Sequence, residues 1–137
     1  MMHLVYARIA DRVKASGTDC FIGDPPSNVP VPYCFVWGPL PTDEALTGAG
    51  TDAVVDQVVN VTVVAKLPPD VLVLAAEVKT ALTGAEPTIS GWRTFPLKVI
   101  GSTDLQTQRG VVNEPSNTYP AWVTLHVRVQ ATKESAA

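Results

Sequence analysis

Two hydrophobic periods meet without a gap between Ala53 and Gly84, and a chain can satisfy both only by laying a helix against the sheet that its own strand joins. Val59, Val61, Val63 and Ala65 fall on one side of an alternating run, and Asn60, Thr62, Val64 and Lys66 on the other, the period of a half-buried strand. Most of these residues are β-branched, so propensity agrees with pattern. Pro68 and Pro69 cannot donate to a strand ladder, but their φ suits the first turn of a helix, and Asp70 puts a negative charge where the helix dipole favours one. The strand therefore ends near Lys66. Val71, Leu74, Ala75, Val78 and Leu82 then recur at helical spacing, with Lys79 near the end and Gly84 placed as the left-handed residue after it. Burying the four large members of that stripe contributes about 6 to 12 kcal/mol of gross transfer energy, before chain entropy is subtracted.

The 137 residues are the length of one domain, 1–137, and 46% hydrophobic with 17% charged residues suits a packed core. A net charge of −3, with ten basic residues scattered singly, gives no field that would grip duplex DNA or anionic lipid. No apolar run reaches the roughly 20 residues of a membrane span, and His3, Arg8, Asp11 and Arg12 interrupt the place of a signal peptide's apolar core. The expected location is the cytoplasm in which the chain is made. Cys20 and Cys34 lack metal-ligand spacing and are expected as free thiols there; a disulfide closing the segment between them is the alternative.

Along the chain, Met2, Val5, Tyr6, Ile9 and Val13 share one helical face, and Ser16 and Gly17 stop that helix. Residues 18–32 hold too many turn formers for a helix or long strand, although Phe21 and Ile22 can pair briefly. Tyr33 to Trp37 reads as a short strand that Gly38, Pro39 and Pro41 end. After the second helix, Phe95, Leu97 and Val99 alternate as a third strand, whose Pro96 requires an edge position or a bulge. Residues 101–118 read as a long polar arm, and a loop of that kind is usually functional or disordered. A last strand has Val123, Leu125, Val127 and Val129 inward and Trp122, Thr124, His126, Arg128 and Gln130 outward, with a frayed tail from about Thr132. The fold expected is α+β, a mostly antiparallel sheet of about four strands with two helices packed on one face.

Chemistry is sparse. Gly48-Ala49-Gly50-Thr51-Asp52-Ala53 spells a dinucleotide fingerprint, but a loop precedes it and a strand follows, the reverse of what the motif needs. His3 and His126 stand alone, and no serine or cysteine has a base in a recognisable motif. Asp43, Glu44, Asp52 and Asp56 read as a solvated face in preference to a cation site, and Asn60-Val61-Thr62 is a sequon only by its letters. No catalytic residue, cofactor or metal ligand is assigned.

Surface is what remains. Two helices cover one face of such a sheet, so Trp37, Trp122 and Val64 on the other face, and any valine-rich edges, call for a neighbour. The arm adds Asp104, Arg109 and Glu114, able to pair across an interface, and Val111 and Val112, its only apolar pair; with Trp122 these are the candidate interface residues.

The order of elements, the stretch Gly91-Trp92-Arg93-Thr94-Phe95-Pro96-Leu97, and Tyr119-Pro120-Ala121-Trp122 opening the last strand resemble the tail terminator proteins of long-tailed siphophages infecting actinobacteria. The resemblance covers nearly the whole chain, apart from the proline-rich segment 23–41, which matches no element of that family. It implies a virion protein at the head–tail junction, assembled in the bacterial cytoplasm. Such a protein forms a ring, typically a hexamer, that caps the finished tail tube, ends tube polymerisation and meets the head-side connector. Its implied partners are its own copies, the tail tube protein and the connector, with DNA passing through the lumen unbound. The alternatives are another connector or tail-tube subunit, or a small-ligand-binding α+β domain.

Overall fold

The structure is a computed structural model and describes residues 2–23, 25, 30–38, 54–107 and 121–133. In chain order the elements are α1 (Met2–Ala15), β1 (Cys20–Ile22), β2 (Tyr33–Trp37), β3 (Val54–Ala65), α2 (Pro68–Leu82), β4 (Trp92–Thr94), β5 (Lys98–Ser102), β6 (Gln106–Thr107) and β7 (Ala121–Lys133).

The two long valine-rich strands are each other's neighbours. β3 and β7 pair antiparallel without a break, from Val54 opposite Thr132 to Ala65 opposite Ala121. β2 adds antiparallel to the other side of β3, and β1 adds parallel to β2. β4, β5 and β6 pair in succession along the remaining side of β7, so the seven strands occupy five positions. The class is α+β with two helices among the described residues, but the sheet is mixed and larger than four antiparallel strands. Sequence periodicity undercounts it because β1, β4 and β6 are only two or three residues long, too short to show alternation.

Along β3, Val55, Val59, Val61, Val63 and Ala65 are buried, and along β7 the odd-numbered residues from Ala121 to Ala131 are buried beside them. Both helices cover this one face. α1 brings Val5, Ile9, Ala10 and Val13 over β1 and β2, and α2 brings Val71, Leu74, Ala75, Val78 and Leu82 over β3 and β7. α2 begins at its two prolines, with Asp70 and Val71 donating to the Leu67 carbonyl. It ends where the Thr83 amide and hydroxyl both bond the Lys79 carbonyl, and Gly84 follows at φ +80°, a left-handed turn that a side chain would strain.

Three boundaries differ from the sequence reading. Pro96 splits the expected third strand into β4 and β5, and a bulge between Val99 and Gly101 bends what remains, so the proline lies on an edge, where its missing N–H costs no ladder bond. The arm starts later than 101: Gly101 and Ser102 belong to β5, Leu105 packs against the core, and Gln106 and Thr107 pair with Trp122 and Ala121. The last strand holds Thr132 and Lys133, paired with Val54 and Trp92, so neither belongs to a frayed tail.

Candidate assembly surfaces

The sheet face turned away from the helices divides into an aromatic half and a polar half. Strand alternation puts Phe21 on β1 and Tyr33, Phe35 and Trp37 on β2 on this side, because Cys34 and Val36 between them point into the core. Phe21 meets Tyr33 edge to face with centroids 6.4 Å apart, and Tyr33 lies 6.4 Å from Phe35. Trp37 is 45% exposed yet fixed: its indole N–H donates to Thr62 Oγ1 at 3.0 Å, and Thr62 shares a 2.8 Å hydrogen bond with Thr124. Both threonines are buried although they face outward, as is Val64. Trp122 is half-buried beside Val64, in register with it across β3 and β7.

Toward the other end the same two strands carry paired polar groups. Arg128 grips Asp56 through two bonds, Nε to Oδ1 at 2.9 Å and Nη2 to Oδ2 at 2.8 Å. Hydrogen bonding from Arg128 holds the Asp56 carboxyl below its usual value. His126 Nδ1 lies 2.9 Å from Asn60 Oδ1. His126, which looks solitary in sequence, and Asp56, which reads there as part of a solvated face, are therefore each partnered across β3 and β7. Register alone pairs them, and register is not visible before the strands are placed.

A second surface is the outer side of α2. Its buried stripe is the expected one, but Leu72 and Val73 on the opposite side are 55% and 62% exposed, with Leu67 and Val31 exposed nearby. A helix apolar on both sides is one that finds cover. The sequence carries this signal in the run Val71-Leu72-Val73-Leu74, which contains no polar residue.

The third surface is the edge formed by β4 and β5. The Arg93 guanidinium lies 5.6 Å from the centre of the Phe95 ring, and Ile100, at the bulge, is 55% exposed. This edge is short, broken by Pro96 and carries Lys98, features that resist uncontrolled strand pairing. Valine-rich edges are absent among the described residues, because the valine-rich strands are the two central ones.

Of the interface residues named from sequence, Asp104 is exposed between β5 and β6 and Trp122 lies on the open sheet face. Arg109, Val111, Val112 and Glu114 lie outside the described residues, as do Asp43, Glu44 and Asp52. Trp37 is on the face the sequence reading gave it, and Phe21, Tyr33 and Phe35, which extend it into an aromatic strip, are the part that sequence reasoning missed. Its signal is the alternation Tyr-Cys-Phe-Val-Trp, which also reads simply as strand propensity.

A cleft of about 850 Å³ separates α1 from the chain after α2. Its arginines act as ties: Arg12 Nε donates to the Ala81 carbonyl at 2.9 Å and Arg8 Nε to the Thr88 carbonyl at 3.2 Å, while Arg8 lies 3.9 Å from Asp11. Among the described residues no three His, Cys, Asp or Glu side chains converge as a metal site would require, and no helix is long and apolar enough to cross a membrane. Compared with known proteins, the chain matches no family model and no curated protein sequence.

Proposed function

We propose that this chain is a structural virion protein, not an enzyme, that forms a ring on the tail tube of a long-tailed phage, ends tube polymerisation and joins the tail to the head-side connector. The carrying observation is that one small domain presents three unlike surfaces left open among the described residues: an aromatic strip on the open sheet face, an apolar flank on α2, and a basic, apolar edge at β4 and β5. A ring cap needs several such surfaces, because it touches neighbouring copies through two different patches and its other partners through at least one more. The resemblance of Gly91–Leu97 and Tyr119–Trp122 to tail terminators adds to the reading. The first of these stretches contains β4 and the proline break, and the second leads into β7. A net charge of −3 suits a lumen through which DNA passes without being held.

The test is to add the purified protein to polymerising tube subunits of the same phage and to weigh it by native mass spectrometry. The expected result is a closed ring of roughly six copies that stops tube growth at the ends it occupies. Incorporation along the tube would make the chain a tube subunit. A monomer at every concentration, with no effect on tube length, would remove the proposal.

A further inference from the structure

Beside the N-terminal half of α2 lies a cleft of about 290 Å³, of a size to take one aromatic side chain. Val31, Pro32 and Val73 form its apolar walls, and Asp70 and Glu77 flank Val73 on the helix, one turn before and one turn after it. Lys66 also lines the cleft, so the rim is net negative. Among the described residues neither Asp70 nor Glu77 has a cation within ion-pair distance. Two unpaired carboxylates beside an exposed valine favour an occupant that is apolar in the middle and basic on both sides.

The edge at β4 and β5 has that composition. Phe95 is its exposed apolar centre, with Arg93 before it and Lys98 after it, and neither cation has an acidic partner among the described residues. Pro96 keeps this segment from pairing as an ordinary edge strand, which leaves its side chains to make the contact. The two surfaces cannot meet within one chain. Val31 and Pro32 lead into β2, whereas residues 93–98 lie beyond β7, and β3 and β7 stand between them.

We propose that the occupant of the α2 cleft is a second copy of this chain, which seats Phe95 against Val73 and sets Arg93 and Lys98 against Asp70 and Glu77. The inference rests on the ring reading and supplies its copy-to-copy contact. The contact joins two different patches, so it repeats head to tail and either closes or grows. It leaves the aromatic strip of the open sheet face for a partner that is not a copy.

Carbodiimide coupling, which joins an amine to a carboxylate only in direct contact, tests this on the unaltered protein. Equal parts of light and isotopically heavy protein are mixed, coupled and digested. A Lys98 link to Asp70 or Glu77 that carries one light and one heavy peptide is the expected product. The charge-reversed variants Asp70→Lys/Glu77→Lys and Arg93→Glu/Lys98→Glu each weaken assembly by roughly tenfold or more, and mixing the two restores a contact between them. All four positions are exposed, so each variant stays folded and melts within a few degrees of the parent, Asp70→Lys losing only the favourable charge at the start of α2. If the unaltered protein forms rings that both reversals leave intact, and no mixed-label link involves Lys98, the contact is wrong and the ring reading stands. If the unaltered protein is monomeric at all concentrations and beside its tube, both fall.

Discussion

Val63 lies between Cys34 on β2 and Val123 on β7, with no exposed surface, which makes it a test of which side of β3 is inward. Val63→Asp places a carboxylate among valines with no partner, at an expected cost above about 4 kcal/mol, and chemical denaturation should find no cooperative native state. Cys34 and Cys20 sit opposite each other on parallel neighbours, both buried and both thiols. Burial pushes Cys20 up to about 11 and Cys34 up to about 12 from an ordinary 9.0, so alkylation at pH 8 should wait for unfolding. The sign of the linkage follows: between pH 9 and 12 the unfolded chain gives up thiol protons that the folded chain keeps. Stability from this source is complete below pH 9 and is lost as pH rises through 11 to 12. Urea midpoints that held constant across that interval would show the thiols to be solvated.

Among elements, the connection from β6 to β7 is where the proposed function separates what the domain needs from what an assembly would need. Thr107 and Ala121 are directly paired, so the sequence from 108 to 120 joins two strands that a two-residue turn can join as well. Replacing residues 108–120 with Asn-Gly should leave the melting temperature within a few degrees, since the replacement keeps the Thr107–Ala121 pair and every residue of the described core. On the proposed function the same replacement abolishes attachment to the tube, read as tails of uncontrolled length. A cut beginning at 105 should behave differently, because it removes Leu105 from the core and the β6 pairs with it. A large loss of stability from the 108–120 replacement would mark that segment as structural.

For the whole molecule, exposed charges would make the proposed contact between copies salt-dependent. Raising ionic strength to about 1 M shortens the screening length to about 3 Å, so ring dissociation should increase with salt while monomer melting changes little. Sedimentation at low and high salt measures this, and rings insensitive to salt would argue for a contact that is mainly apolar. The internal ion pair of Asp56 and Arg128 is exposed as well, which is why little monomer stability depends on it.

Much of this follows from residue order alone. The β3 and β7 alternation, the proline start of α2, its buried stripe and the α1 face are local patterns, and a period of 2 or 3.6 states which side is buried before anything is packed. That Pro96 sits at an edge or a bulge follows too, because a missing N–H has only a few tolerable places. Which strands are central, that β1 runs parallel to β2, and that three short pieces share one edge of β7 come only from tertiary pairing. Strands of two or three residues carry no period of their own and exist because β2 and β7 offer unpaired backbone. The same holds for the surfaces. Leu72 and Val73 read as more of a hydrophobic helix until the sheet takes the other side, and only the fold sets Arg93 and Asp70 on opposite flanks, the placement from which the proposed contact is argued.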